Sequence, residues 1–164
     1  MSYGSDSDFQ EWLTAQGLTL PAGANLTALR TIGSAYVDGA YEHRLSCSSR
    51  ASGYLQDSAW PRRNHYFNGQ ELPHDFIPPA WVNAAYRAAY LEATNQGWAT
   101  GSVNPNRVTK REKVDVIERE FFAASDTAQA DVSAGMPADG MINGLVQPWL
   151  CSKTRSLDSL FRVI

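Results

Sequence analysis

Three histidines, His43, His65 and His74, have the broadest chemical repertoire in this sequence. None stands at metal-ligand spacing from another His or Cys, and the helical pair HExxH is absent. Each therefore reads as a surface or packed side chain, and no metal or cofactor is expected. Asp38 and Glu42 lie four apart and share a helix face. With no His or Lys nearby to complete an acid–base pair, they read as solvated carboxylates. Ser46, Ser48, Ser49 and Ser52 surround Cys47, but neither a GxSxG elbow nor an SxxK pair is present. Gly97 and Gly101 lack the flanking pattern of a phosphate-cradling loop. The expectation is a protein that is not an enzyme.

Two basic clusters remain. Arg62 and Arg63 stand beside Trp60, Tyr66 and Phe67, the composition of a surface on which single-stranded nucleic acid stacks. The competing reading has Trp60-Pro61 packed into the core and the arginines bridged to carboxylates such as Asp57 or Asp75. The second cluster, 107–120, carries five positive and four negative side chains. Alternating signs of this kind suit a solvated strand face or a contact with a second copy, with Lys113, Asp115, Glu118, Arg119 and Glu120 as candidate interface residues.

These residues sit in a chain of 164 residues, enough for one domain with its own core. Its formal charge is -3, which argues against a coat that binds nucleic acid through its phosphates, though not against a local basic patch. Aromatic residues make up 11 %, too many for a wholly disordered chain. No apolar run approaches the roughly 20 residues of a membrane helix, and the first residues lack the features of a secretory leader. A soluble, unexported product is expected, and with it two reduced thiols at Cys47 and Cys151.

The apolar periodicity predicts a mainly α fold. A first helix over 8–16 is capped by Ser7 with Gln10 three residues on, and is closed by Gly17. A second runs over 26–43 from an Asn25 cap, with Gly33 and Gly39 as small residues at which helices can approach closely. A third runs over 78–95 from Pro78-Pro79, with an alanine stripe at 84, 85, 88 and 89. Between the second and third, 45–76 is a long loop that Trp60, Tyr66 and Phe67 would pack down, and Asn68-Gly69 marks a tight turn in it. A strand over 113–122 shifts its apolar phase by one residue after Val116, with 107–111 as its hairpin partner. The stretch 123–140 reads as a loop and 141–150 as a short apolar helix or turn. The last fourteen residues begin polar and end apolar at Leu157, Leu160, Phe161, Val163 and Ile164. Fully extended they would reach roughly 46 Å, a tail suited to docking elsewhere.

In their order and spacing these pieces resemble the head–tail connector (adaptor) proteins of tailed bacteriophages, some of which carry a DnaT-like single-stranded-DNA-binding label. The matching stretches are Asp8-Phe9-Gln10-Glu11-Trp12-Leu13 through Gly17, Ala28-Leu29-Arg30, and Ala35-Tyr36-Val37-Asp38-Gly39-Ala40-Tyr41. They continue with Ala59-Trp60-Pro61-Arg62, Ile77-Pro78-Pro79-Ala80-Trp81, Lys113-Val114-Asp115-Val116 and Gln147-Pro148-Trp149-Leu150. The resemblance implies a small helical bundle with a β-hairpin, here over 1–150 with the hairpin near 107–122; the stretch 123–140 and the extended C-terminal tail over 151–164 depart from the family's pattern. It further implies a ring, commonly of twelve copies, in the virion neck. There it would join the portal protein to a stopper or tail-terminator protein and extend the channel through which double-stranded DNA passes without specific binding. Assembly would take place in the host cytoplasm. The family's C-terminal segments dock on the portal, a role that would fall here to Leu157, Leu160, Phe161, Arg162 and Ile164. The alternative is a single-stranded-DNA-binding module that uses Trp60, Arg62, Arg63, Tyr66 and Phe67.

Overall fold

A computed structural model describes residues 2–100, 111–114, 117–120 and 136–151, and it is mainly helical. Helix α1 (Asp6–Ala15) begins two residues earlier than the sequence predicts. Gly4, at φ 64°, turns the chain so that Ser5 rather than Ser7 becomes the cap. Its hydroxyl accepts from the Asp8 amide at 3.1 Å, and the Asp8 carboxylate accepts from the Ser5 amide at 3.2 Å. Asp6 and Asp8 also place negative charge on the positive end of the helix dipole. Gly17 closes the helix with φ 66°, as expected.

Helix α2 (Leu26–Tyr41) is capped by Asn25, whose side-chain oxygen accepts from the Ala28 amide at 3.0 Å. It stops two residues short of its predicted end and tightens into a 3-10 turn, Glu42–Arg44. Helix α3 (Pro79–Thr94) starts with proline in its first turn, where no amide partner is needed. Its stripe Ala84, Ala85, Ala88 and Ala89 is almost wholly buried. Gly33 of α2 lies directly against it: a Cβ at that position would meet the Ala85 carbonyl oxygen at 2.2 Å and the Ala89 amide at 2.7 Å. The two helices therefore touch backbone to backbone there. Gly39 has no such neighbour, and its nearest side-chain atom stands 3.8 Å from a Cβ built there.

The segment between α2 and α3 is packed down by Trp60 and Phe67, as expected, whereas Tyr66 is 59 % exposed, and it carries two small antiparallel pairs. Strand β1 (Ser49–Arg50) pairs with β2 (Arg62–Arg63), and β3 (Tyr66–Phe67) pairs with β4 (Gln70–Glu71) across Asn68-Gly69. Both turn residues have positive φ, 51° and 81°, as a two-residue hairpin of this kind requires. A 3-10 turn, Gly53–Leu55, stands between β1 and β2. Further on, β5 (Arg111–Val114) pairs with β6 (Ile117–Glu120) with Val114 opposite Ile117. This corrects the expected strand over 113–122, since Lys113 and Val114 pair with Glu118 and Ile117; Arg111, expected in the hairpin partner, does pair with Glu120, and 107–110 and 121–122 lie outside the described residues. Helix α4 (Gly140–Val146) and the 3-10 turn Gln147–Trp149 then return to α3 and bury Ile142 and Val146 completely. The predicted loop over 123–140 falls mostly outside the described residues, and Gly140 belongs to α4.

One side of the core is built on Trp60, Trp81, Val37, Leu45, Ile142 and Val146. A second cluster sets Phe9 and Leu13 of α1 against Tyr86 and Ala89 of α3. Cys47 and Cys151 are joined as a disulfide across 104 residues, which corrects the expectation of free thiols. In the chain-entropy picture a loop of that size is worth about 4–5 kcal/mol to the folded state. No helix of the described residues is long and apolar enough to cross a membrane.

The α2–α3 contact makes Gly33→Ala a sharp test. Alanine improves helix propensity by about 1 kcal/mol. Its methyl meets backbone atoms that cannot step aside, at a cost of about 2–3 kcal/mol. Urea denaturation should give a net loss of stability for Gly33→Ala, whereas Gly39→Ala should be neutral or stabilising.

Candidate nucleic-acid interface: the Trp-Pro-Arg loop

The loop that carries Trp60, Arg62, Arg63, Tyr66 and Phe67 is tied to the helical core by a half-buried carboxylate. Asp38, on the fourth turn of α2, receives the Tyr3 hydroxyl at 2.7 and 2.9 Å, the Ala59 amide at 2.9 Å and the Trp81 indole N–H at 3.0 Å. Burial pushes its carboxyl above the usual carboxylate range, and these donors oppose the shift. Glu42 is equally occupied: Arg50 holds both of its oxygens at 2.6 Å, and the Arg62 guanidinium lies 3.6 Å away. The Arg50 bonds keep its carboxyl below the usual range. The solvated carboxylate pair expected from sequence is thus corrected to two structural anchors, one for each side of the loop.

Trp60 is wholly buried. It meets Trp81, Trp149 and the His65 ring edge-on, at centroid distances of 6.0, 6.3 and 4.8 Å. Arg62 is 5 % exposed. Its guanidinium donates to the carbonyls of Ala59 (3.0 Å), Leu45 (2.9 Å) and Ser48 (2.6 Å) and to the Ser48 hydroxyl (2.6 Å). It serves as the internal strut of the loop and bridges to Glu42 rather than to Asp57 or Asp75. A stacking surface that includes Trp60 and Arg62 is therefore corrected, because neither side chain reaches solvent. Phe67 is half-buried and stacks on Trp149 at 4.4 Å. Arg63 and Tyr66 are exposed, and Arg63 edges a shallow cleft with Asn64, Glu71 and His74.

His65 is the packed histidine of the three, with its Nδ1 2.9 Å from the Ser48 hydroxyl, whereas His43 and His74 lie at the surface. Burial holds the His65 imidazole below its ordinary pKa of 6.5, and the Arg62 charge adds to this. Among the described residues no His, Cys, Asp and Glu cluster could hold a metal ion.

The remaining candidates divide by position. In the β5–β6 register Lys113 is the backbone partner of Glu118, Arg119 of Glu112 and Glu120 of Arg111, an acidic and a basic residue at each of three successive positions. Asp115, Leu157, Leu160, Phe161, Arg162 and Ile164 lie outside the described residues. Sequence reasoning passed over Tyr54 and Leu55, which are 93 % and 75 % exposed. The only sequence signal for them was an apolar pair directly after the turn-forming Ser52-Gly53.

The fold and this site define a small, mainly α protein in which an aromatic–basic loop is locked onto a helical core. The family described as "Putative DnaT-like ssDNA binding protein" matches residues 1–162, and the chain belongs to that family. Comparison with curated proteins and with solved structures gives no match.

Two predictions follow from the loop's interior. Arg62→Ala should cost about 3 kcal/mol in urea denaturation, because it leaves buried carbonyls without a donor. Arg63→Ala should stay within about 0.5 kcal/mol of the parent. The His65 shift also sets a pH dependence. An imidazole with a depressed folded-state pKa stabilises fully above 6.5 and loses that contribution as pH falls towards its folded value. Between pH 7 and 5.5 the parent should therefore lose more stability than His65→Gln, by at most about 1.4 kcal/mol per pH unit for one proton.

Proposed function

We propose that this protein is a structural, non-catalytic adaptor that assembles as a ring in a phage neck, joining the portal to the stopper or tail and extending the DNA channel. The observation that carries this reading is the fate of Trp60 and Arg62. The aromatic and the cation best suited to grip nucleic acid are built into the core, on a chain of net charge -3. A channel through which DNA must slide is served by a wall that does not hold phosphates. The opposed charges of β5 and β6 suit pairing between neighbouring copies, with Lys113, Asp115, Glu118, Arg119 and Glu120 at the subunit contact. The helical bundle forms the body of each subunit. The apolar end of the tail, Leu157, Leu160, Phe161 and Ile164 with Arg162, anchors it on the portal.

The second reading, single-stranded-DNA binding, is favoured by the description of the family itself. Here it rests on Arg63 and Tyr66, the members of the predicted set that remain exposed.

Electron microscopy of this chain mixed with the portal ring from the same genome separates the two. Particles should gain a layer with the portal's rotational symmetry, and removal of residues 152–164, which spares the Cys47–Cys151 bridge, should weaken that binding at least tenfold. Bare portals would overturn the adaptor reading, and full affinity without the tail would overturn the anchoring role. Under the second reading, oligonucleotide binding should fall steeply with salt and weaken on Tyr66→Ala.

A further inference from the structure

The Cys47–Cys151 bridge joins two pieces of chain that are held very differently. Cys47 stands on fixed ground. The Leu45 carbonyl before it and the Ser48 carbonyl and hydroxyl after it all receive the Arg62 guanidinium, at 2.9, 2.6 and 2.6 Å. Cys151 is held by less. Besides the bridge, its amide donates to the Arg44 carbonyl at 3.1 Å, and the Cys47 amide donates to its sulfur at 3.0 Å. Two residues earlier, Trp149 is wedged against Trp60, Phe67 and Phe76, at centroid distances of 6.3, 4.4 and 6.0 Å. Leu150 between them has extended backbone. With the bridge open, Trp149 keeps its three aromatic neighbours, whereas Cys151 rests on those two hydrogen bonds.

The bridge is also open to attack. Cys47 is exposed and Cys151 half-buried, and a cleft bordered by Asn64, Tyr66, Asn68, Pro148 and Leu150 reaches both. Disulfide exchange begins when a thiolate attacks one sulfur, and it is faster when the other leaves as a stabilised thiolate. The geometry separates the two sulfurs. Cys47 offers the more accessible one. The Cys47 amide already points at the Cys151 Sγ, so a thiolate formed there meets a donor in place.

We infer that Cys47 and Cys151 form a redox-operated clasp, which a dithiol reductant opens in the folded protein to release the chain after Trp149 from the 3-10 turn Glu42–Arg44. The reductant's thiolate attacks the Cys47 Sγ, the S–S bond breaks, and Cys151 leaves as a thiolate that takes up a proton. The second thiol of the reductant then attacks the mixed disulfide and frees Cys47, which also ends as a thiol. Two electrons and two protons pass to the protein, and the reductant departs as its own disulfide. The point from which residues 152–164 continue is thus fixed in the oxidised chain and free in the reduced one. The inference goes beyond the ring reading and does not depend on it.

The test treats the full oxidised chain with millimolar dithiothreitol in native buffer. Thiol alkylation is followed by mass, amide exchange by peptide mass, and helix content by circular dichroism. Both cysteines should become alkylated while the helical signal stays. Exchange at Leu150 and Cys151 should rise about tenfold or more, with the amides of α2 unchanged. Cys151→Ser should show the same rise without reductant. Glutathione, quenched early, should leave its adduct on Cys47, and oxidised glutathione should restore the bridge in the reduced chain. A bridge that resists dithiothreitol until denaturant melts the helices, or helices that melt when it is reduced, would overturn the clasp. Reduction without faster exchange at 150–151 would overturn the release, and an adduct on Cys151 would overturn attack at Cys47.

Discussion

The Asp38 carboxylate joins four parts of the chain by hydrogen bonds. Tyr3 from the N-terminal segment, Ala59 from the loop and Trp81 from α3 all donate to it, and it projects from α2. Trp60 is tied in at one remove, since its amide donates to the Tyr3 oxygen at 3.2 Å. The arrangement works because the donors outnumber what a neutral side chain could accept. A carboxylate offers about four acceptor positions, and three donors reach it here, the Tyr3 hydroxyl lying within reach of both oxygens. Without it the buried phenol, indole and amide would each face an unmet desolvation cost of about 1–3 kcal/mol. Burial raises the pKa of Asp38, and the hydrogen bonds that hold the loop and the N-terminus oppose that rise.

Glu42, one turn later, repeats the principle for cations. Arg50 and Arg62 face each other across the β1–β2 pair, a like-charge contact that would be unfavourable alone. Glu42 reaches both, and carbonyls from Leu45, Ser48, Ala59 and Gln56 take up the remaining guanidinium donors. The loop between α2 and α3 is therefore ordered by charge and hydrogen bonds as much as by Trp60. This explains how about thirty residues with so little regular structure can cover one side of the core.

What was legible in the sequence is what depends on neighbours three or four residues away. The Asn25 cap, the Gly17 terminator, the proline start of α3, its alanine stripe and the Asn68-Gly69 turn all follow from local rules. Gly33 was readable as a point of close approach because small residues have few other uses in a helix. The long-range bonds were not legible. Asp38 and Glu42 showed the spacing of a solvated pair, and nothing local marks partners 43, 35 and 21 residues away. The Cys47–Cys151 bridge spans 104 residues and was set aside on the expectation of a reducing compartment. The β5–β6 reversal did leave a trace, the one-residue slip in apolar phase after Val116. A shift of phase within a two-residue period belongs to a turn rather than to a continuous strand.

The same economy shapes the candidate site. A basic–aromatic cluster suggests binding only while its side chains are free, and here the fold itself takes the strongest members. What remains outside the core is placed by anchors on α2 and α3. The chain departs after α3 through residues whose amides Glu92 holds at 3.0 Å (Gly97) and 2.7 Å (Ala99). It returns where Asp139 caps α4 and pairs with Arg87 at 3.1 Å. Tyr36 clasps both feet, with its ring against Trp98 at 4.7 Å and its hydroxyl bonded to the Pro137 carbonyl. Cys151, the last of the described residues, is fixed in the same way, by the Cys47 bridge and by its amide on the Arg44 carbonyl at 3.1 Å. Polar and covalent fastenings thus hold residues 97–99, 137–139 and 151, while alanines and tryptophans fill the interior. The cations and carboxylates spent on such fastenings hold the fold and are not free for a ligand.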